Sequence, residues 1–339
     1  MKTNLTQLPK LLERTIKAKI TAFIWSKPGI GKSDSVRALA KTHNLELIEV
    51  RLSQIDPLDM SGLPSVNENK TRATYLPMTL FPLETDKIPE GKNGFLLFLD
   101  EANQAPRSVQ AAAFQLTLDR AIGQHKLHPN TAIILAGNNE TDGGITTKIS
   151  TPMMSRLAHF EVEINHTSWI NWANSNGIDH RIISFIHLRP DLLNKFDPNT
   201  QDKTFSCPRT WEFTSRLIKE TDVIAHDDTV LLASVLSEGV AREFASYTNI
   251  FSKLHTIKDI INNPSDIPIP NEPSVKYAYT GVIANNISLS NAPQLLKFLA
   301  RLDIEFQIIA MIPAIKRIPE LNTLDCVSDW KIENIHDLI

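Results

Sequence analysis

The sequence predicts an α/β protein in which a parallel β-sheet is covered by helices on both faces and is followed by a helical C-terminal half. Three observations predict this class. Short apolar runs at residues 21–25, 95–99 and 132–136 have the length and composition of strands that are buried on both faces. Segments with helical periodicity separate these runs, and strands that alternate with helices form parallel sheets. After residue 164 the pattern is helical throughout.

The first elements in chain order are a helix, a strand, a second helix and a second strand. Residues 8–19 place leucine and isoleucine side chains on one face, as in an amphipathic helix. The apolar run 21–25 predicts the first strand, and it ends at glycine-rich turn residues. A helix is expected from Lys32 to about His43, and residues 45–52 predict the second strand.

The next segment, residues 53–94, carries several prolines and no strong periodicity. A loop of this length inside a compact domain is usually functional, and we expect a small hairpin around Thr74-Tyr75-Leu76. The third strand follows at 95–99, then a helix at 107–119 and the fourth strand at 132–136.

Three domains are expected. They are an αβα core over residues 1–164, a helical lid over 165–262 and a C-terminal helical extension over 263–339. Ser206-Cys207-Pro208-Arg209 is typical of a helix start, because proline suits the first helical turn. The proline-rich stretch from Asn262 to Pro273 predicts an ordered loop that leads into the extension.

Composition excludes several classes of protein. The 339 residues are 42% hydrophobic and 22% charged, which is ordinary for a globular protein. The net charge of −3 favours neither nucleic acid nor membrane as the main partner, although a local basic patch remains open. No run approaches the roughly 18 apolar residues that span a bilayer. Because Cys207 and Cys326 lie far apart without metal-ligand spacing, we expect no disulfide framework and a cytoplasmic location.

The segment Ser26-Lys27-Pro28-Gly29-Ile30-Gly31-Lys32-Ser33 meets the phosphate-binding pattern G-x-x-x-x-G-K-[ST] except at Ser26. The glycines let successive N–H groups point at phosphate oxygens, and the following helix presents its positive end to the same anion. Lys32 is expected to neutralise the β- and γ-phosphates of ATP and Ser33 to ligate Mg²⁺. The alternative is a chance turn between strand and helix. The residues predicted to contact the nucleotide are Pro28, Gly29, Ile30, Gly31, Lys32, Ser33 and Asp34.

Two further strand ends carry candidate catalytic groups. The strand at 95–99 delivers Asp100, expected to hold Mg²⁺, and Glu101, expected to activate the attacking water. The strand at 132–136 is followed by Gly137-Asn138-Asn139, and an amide there could hold the water and sense the γ-phosphate. The spacing after Ala136 favours Asn138 over Asn139 for this role. Acidic residues also favour helix starts and Gly-Asn favours turns, so these pairs have structural alternatives.

With these strand ends in order, the sequence resembles the AAA+ ATPases, a group of P-loop NTPases, and among them the MoxR-like ATPases. The likeness covers residues 20–215. Asp56-Pro57-Leu58-Asp59-Met60-Ser61-Gly62-Leu63-Pro64 with Tyr75-Leu76-Pro77 is similar to the family's insertion in the core. Phe98-Leu99-Asp100-Glu101-Ala102-Asn103 is similar to its Walker B strand and the residues that follow. Thr151-Pro152-Met153-Met154-Ser155-Arg156-Leu157 resembles its arginine-finger segment, and Cys207-Pro208-Arg209-Thr210-Trp211 resembles its second sensor. The segment from Leu295 to Asp303, with Phe306 and Gln307, also resembles the tail of MoxR-like proteins that are encoded beside von Willebrand factor A-type partners.

The resemblance implies a P-loop NTPase core with a helical lid and an assembly of identical subunits. It implies that Arg156 acts as an arginine finger in the neighbouring subunit's site and that Arg209 contacts the γ-phosphate from the lid. A finger in trans requires a closed ring, which we expect to be hexameric. The ring would remodel a protein partner that contains a von Willebrand factor A-type domain. Asp142-Gly143-Gly144 is either a flexible turn or a pore-facing loop of that ring.

Two other functions remain open on the same fold. The first is an AAA+ motor or loader that acts on nucleic acid, which the net charge does not favour. The second is an ATP-gated scaffold with little turnover, against which the Asp100-Glu101 pair argues.

Overall fold

The structure is a computed structural model that describes residues 2–139, 142, 147, 149–200, 202–221, 223–225 and 227–334. The chain divides into two compact units. The α/β unit comprises Met1–Asn165 with Asp197–Thr200, and the helical unit comprises His166–Phe196 and Gln201–Ile339. Within the described residues, no helix is long and apolar enough to span a membrane.

Strands and helices alternate along the α/β unit. Its strands are β1 (Lys2–Asn4), β2 (Ala22–Ser26), β3 (Leu45–Arg51), β4 (Leu63–Val66), β5 (Ala73–Leu76), β6 (Gly94–Asp100), β7 (Ala121–Ile122), β8 (His125–Lys126), β9 (Thr131–Asn138) and β10 (Ala158–Glu163). Its helices are α1 (Leu8–Lys17), α2 (Lys32–Thr42), α3 (Pro57–Ser61), α4 (Arg107–Asp119) and α5 (Thr151–Met154). The four predicted strands and the helices at 8–19, 32–43 and 107–119 are therefore confirmed to within two residues at each end.

Six of the described strands form one parallel sheet in the order β1-β10-β2-β9-β6-β3. The carboxyl ends of β2, β6 and β9 meet at one edge of this sheet, because β9 lies between the other two. The sequence did not predict β1 and β10. β1 is short and polar, and β10 interrupts its apolar residues with Glu161 and Glu163, so neither shows a continuous apolar run.

Helices cover both faces of the sheet. Alternate residues of β6 enter opposite clusters: Leu97 and Leu99 pack with α4, and Leu96 and Phe98 pack with α1 and α2. All four side chains are fully buried, and each such burial stabilises the fold by about 1.5–3 kcal/mol. Burial on both faces explains why these strands appear in the sequence as unbroken apolar runs. The predicted fold class, a three-layer α/β core followed by a helical part, is confirmed.

The segment between β3 and β6 contains the expected hairpin, formed by the antiparallel strands β4 and β5. At its base Gly62 adopts φ +88°, and an added Cβ would lie 2.9 Å from the carbonyl carbon of Leu76. His125 in β8 contacts the carbonyl oxygen of Tyr75 at 3.0 Å through its Nε2. The hairpin is thus held at its base, while Val66 and Leu76 on its strands are exposed.

The helical unit is built from short helices around buried aromatic and aliphatic side chains. Its helices are α6 (His166–Ser175), α7 (His180–Leu188), α8 (Pro208–Ile218), α9 (Asp228–Ala233), α10 (Glu238–Thr248), α11 (Ile257–Asn262), α12 (Pro273–Asn286), α13 (Ala292–Leu299), α14 (Ile304–Arg317) and α15 (Asp325–Glu333). Helix α8 begins at Pro208 and the stretch between α11 and α12 lacks regular structure, both as expected. Helix α7 packs against α12. The division into a lid and an extension stays a prediction.

Candidate active site

The loop between β2 and α2 has the backbone that phosphate binding requires. Gly29 and Gly31 adopt φ values of +76° and +103°, a region that other residues rarely enter. Gly31 caps α2 without a side-chain hydrogen bond, so the first-turn N–H groups can face an anion. The hydroxyl of the buried Ser26 donates to the carbonyl oxygen of Lys27 at 2.9 Å. Serine at the first motif position therefore stabilises the loop from within.

Lys32 begins α2 and joins the loop to the next strand of the sheet. Its Nζ donates to Oδ1 of Asn138 at 2.9 Å and approaches the carbonyl oxygen of Ser26 at 3.5 Å. Strand pairing brings these groups together, because Ser26 is in register with Asn138. Asn139, the other candidate, makes a different contact: its backbone N–H donates to Asp142 Oδ2 at 3.1 Å. Of the two candidate amides, the structure brings Asn138 to Lys32.

Ser33 and Asp100 form a pair of hard oxygen donors at the same edge. The Ser33 hydroxyl donates to Asp100 Oδ2 at 3.1 Å, and both residues are partly exposed. A hydroxyl and a carboxylate beside a phosphate loop are the ligands by which Mg²⁺ is held in nucleotide sites. The residues present therefore fit a magnesium ion.

Glu101 follows Asp100 in a strained turn. It has φ +56°, a left-handed value that is uncommon for a non-glycine residue and is frequent at functional sites. Its backbone N–H donates to Asp100 Oδ1 at 2.8 Å. Its Oε2 accepts a short hydrogen bond from the hydroxyl of Ser53. The structure thus turns the carboxylate toward the segment that follows β3.

Sequence reasoning missed Ser53. It lies two residues beyond the end of β3, and β3 is paired with β6 in register up to Arg51 and Asp100. A polar residue just after a strand that neighbours the acidic strand was the available signal. The order of strands in the sheet was needed to recognise it.

Asp142 adds a carboxylate near the positive charges of the loop. Burial raises the pKa of this carboxyl, while the hydrogen bond from Asn139 and the charges of Lys27 and Lys32 oppose the rise. Gly143 and Gly144, which complete the expected turn or pore loop, lie outside the described residues.

Arg156 is exposed and lies between the buried side chains of Met153 and Leu157. It precedes β10, whose first residue, Ala158, is in register with Ala22 at the start of β2. Arg156 is therefore at the amino edge of the sheet, and the length of β2 alone separates the two edges by about 16 Å. The structure does not bring Arg156 together with Lys32 within one chain.

Arg209 belongs to the helical unit, where it is the exposed second residue of α8. The start of this helix is well defined, because Cys207 donates its backbone N–H to Thr210 Oγ1 at 2.8 Å. The buried indole of Trp211 donates through Nε1 to the carbonyl oxygen of Leu192 at 2.9 Å and anchors the helix.

Neither a protein-family model nor a curated protein matches this sequence. Solved structures to which this chain is similar include a candidate ATPase from Cytophaga hutchinsonii, with 15% identity, a TM-score of 0.36, and coverage of 90% of this chain and 79% of that one. NtrX from Brucella abortus has 14% identity, a TM-score of 0.39, and coverage of 91% and 67%. The RuvB Holliday junction branch migration motor from Thermotoga maritima has 15% identity, a TM-score of 0.38, and coverage of 86% of both chains. The fold of this chain is established by its own strand order.

Proposed function

We propose that this protein is a Mg²⁺-dependent ATPase of the AAA+ class. One observation carries the proposal: the ends of three adjacent parallel strands bring Lys32, Asp100, Glu101 and Asn138 to one edge beside a helix N-terminus. Ligands of parallel sheets bind at the carboxyl ends of strands, and these residue types serve phosphoryl transfer.

Each residue has a distinct part in the proposed reaction. The backbone N–H groups from Gly29 to Ser33 bind phosphate oxygens, and Lys32 places positive charge on the β- and γ-phosphates. Ser33 and Asp100 would hold the Mg²⁺, which neutralises charge that develops during transfer. Asn138 has its Oδ1 bonded to Lys32, so its Nδ2 is the end that can donate to a phosphate or to water.

Glu101 is the proposed base that takes a proton from the attacking water. The hydrogen bond from Ser53 holds its carboxylate toward β3. In the proposed reaction Glu101 leaves Ser53 to reach a water molecule beside the γ-phosphate. On this proposal the geometry with Ser53 bound is a resting state of the base.

The position of Arg156 supports a finger that acts between subunits. Arg156 precedes β10 at the edge of the sheet opposite the site, so as a finger it would act on the site of a neighbouring molecule. Head-to-tail contacts close into a ring when the rotation between neighbouring subunits allows it. By resemblance we propose a hexamer of MoxR-like type, with Arg209 sensing the γ-phosphate from a lid and a von Willebrand factor A-type protein as the remodelled partner.

The direct test is ATP hydrolysis by Glu101→Gln. This variant should bind Mg-ATP with wild-type affinity in calorimetry and show no steady-state turnover. Glu46→Gln is a matched control, because Glu46 is a half-exposed residue on β3 far from the site. Turnover by Glu101→Gln at the wild-type rate would falsify the role of the base, and a wild-type protein that binds no Mg-ATP would remove the function altogether.

The test of the ring mixes two inactive variants. Rings that combine Arg156→Ala with Glu101→Gln subunits should recover part of the activity, since some sites then contain an intact base and an intact finger. Native mass spectrometry establishes that mixed rings form. Mixed rings without any activity would rule out Arg156 as a finger in trans.

A further inference from the structure

Strand β9 extends beyond its neighbour β6. The β6–β9 ladder ends at the pair of Leu99 and Leu135, and β9 continues to Asn138. On its other side β9 stays paired with β2 up to the register of Ser26 and Asn138. The last residues of β9, which carry the candidate sensor, therefore need hydrogen-bond partners other than β6.

The side chain of Asn103 provides these partners. Its Nδ2 donates to the carbonyl oxygen of Asn138 at 2.7 Å, and its Oδ1 accepts from the backbone N–H of Asn138 at 3.2 Å. One residue earlier, the N–H of Ala102 donates to the carbonyl oxygen of Ala136 at 2.8 Å. Asn103 is 1% exposed. A buried amide thus binds both main-chain groups of Asn138, as another strand would.

Gly137 provides the space for this amide. A Cβ at position 137 would lie 2.9 Å from Cγ of Asn103 and 3.0 Å from Cζ of Phe23. Real Cβ atoms essentially never approach so closely, so the Asn103 amide and a side chain at 137 exclude each other. Glycine at this position is required by the contact with Asn103.

Asn103 is also tied to the turn that carries the proposed base. Glu101 lies two residues before it, and the N–H of Gln104 donates to the carbonyl oxygen of Glu101 at 2.9 Å. The carbonyl oxygen of Asn103 accepts from the N–H of Thr147 at 2.7 Å. One buried residue therefore connects the turn of Glu101, the end of β9 and the segment at Thr147.

We propose that Asn103 is a positioning residue that holds the base Glu101 and the sensor Asn138 at a constant distance from each other. Both must act on one water molecule beside the γ-phosphate, so their separation determines whether that water is aligned. This inference rests on the proposed ATPase function. It assigns to Asn103 a part in the alignment of the water and none in nucleotide affinity.

The test compares kcat with KM for Asn103→Ala. A misplacement of about 1 Å can cost roughly 100-fold in rate, so kcat should fall by about that factor. KM for ATP should stay near the wild-type value, because the side-chain hydrogen bonds of Asn103 go to the main chain of Asn138. Gln104→Ala is the matched control in the same turn and should keep the wild-type kcat. An unchanged kcat in folded Asn103→Ala, or a loss of ATP affinity that accounts for its lost activity, would overturn the inference.

Gly137→Ala provides an independent route to the same defect. The new methyl group should displace the Asn103 amide and lower kcat as Asn103→Ala does. In the double variant Asn103→Ala/Gly137→Ala the clash with Asn103 is relieved and only the approach to Phe23 Cζ at 3.0 Å remains, which a small shift of the ring can accommodate. The kcat of the double variant should therefore be close to that of Asn103→Ala alone. Multiplied losses in the double variant would show that Gly137 acts elsewhere and would contradict the inference.

Two further measurements complete the design. If Asn103→Ala does not fold, Asn103→Asp takes its place. Aspartate keeps the acceptor for the Asn138 N–H and loses the donor to the Asn138 carbonyl oxygen, so Asn103→Asp should show the same loss of kcat. Wild-type protein and Glu101→Gln are assayed in parallel. An active wild type together with an inactive Glu101→Gln supports the ATPase function. If the Asn103 variants then keep the wild-type kcat, only the positioning role is refuted. An inactive wild type refutes both the ATPase function and the positioning role.

Discussion

On the proposed function, replacing Ser53 with alanine should raise the rate of ATP hydrolysis. The Ser53 hydroxyl donates to Glu101 in the structure, and in the proposed reaction the carboxylate gives up that bond before it accepts a proton from water. Ser53→Ala removes a stabilisation of the ground state that is absent in the transition state. The barrier to hydrolysis therefore falls by the free energy of this hydrogen bond.

The structure sets the size of the effect. A hydrogen bond to a charged group contributes about 1.5–3 kcal/mol when it is shielded from water. Ser53 and Glu101 are both partly exposed, which reduces the contribution to about 1 kcal/mol. Since about 1.4 kcal/mol corresponds to a factor of ten, kcat should rise about fivefold.

The assay is steady-state hydrolysis at saturating Mg-ATP and at a protein concentration that supports assembly. Ser53→Thr keeps the hydroxyl and should retain the wild-type kcat, while Ser53→Ala/Glu101→Gln should be inactive because the effect acts through Glu101. A kcat for Ser53→Ala that equals or falls below the wild-type value would refute the view that Ser53 restrains the base.

Three further predictions concern stability. Burial lowers the pKa of His187 to about 4, and the nearby His166 adds to the effect, so the folded state favours the neutral ring. The resulting stabilisation is complete above the unfolded pKa of about 6.5 and is lost as the pH falls toward 4, by up to about 3 kcal/mol. His187→Phe should therefore weaken the pH dependence of the melting temperature between pH 7 and pH 4. Gly62→Ala should strain the base of the hairpin by more than about 1 kcal/mol, because of its positive φ and the clash with Leu76, and should speed limited proteolysis within residues 63–76; an unchanged cleavage rate would contradict this. Arg181 pairs through Nη2 with Asp179 at 2.8 Å inside the helical unit, so Arg181→Met should cost about 3–5 kcal/mol in chemical denaturation, and a cost below about 1 kcal/mol would show that the pair is unimportant.

The strands at the centre of the sheet were predictable because local physics determines them. A strand buried on both faces, such as β6, must be apolar at every position, and this pattern is visible without any knowledge of its neighbours. β10 was not predictable in this way. It carries glutamates between its apolar residues, so its composition does not indicate a buried strand. Its hydrogen-bonded pairing with β1 and β2 stabilises it as a strand.

The glycine-rich turn between β2 and α2 was predictable from local sequence, since Gly29 and Gly31 adopt positive φ values within one contiguous segment and glycine is suited to them. The sequence by itself also determined that acidic and amide side chains end the neighbouring strands. Both features are visible in short contiguous segments of the sequence.

The meeting of groups that are distant in the chain depends on how the strands are ordered in the folded sheet. The tertiary structure brought Asn138 to Lys32, Ser53 to Glu101 and the amide of Asn103 to the end of β9. It also placed Arg156 at the far edge of the sheet. These relations depend on strand order and register, which arise from packing between segments tens of residues apart and leave no periodic signal in the sequence.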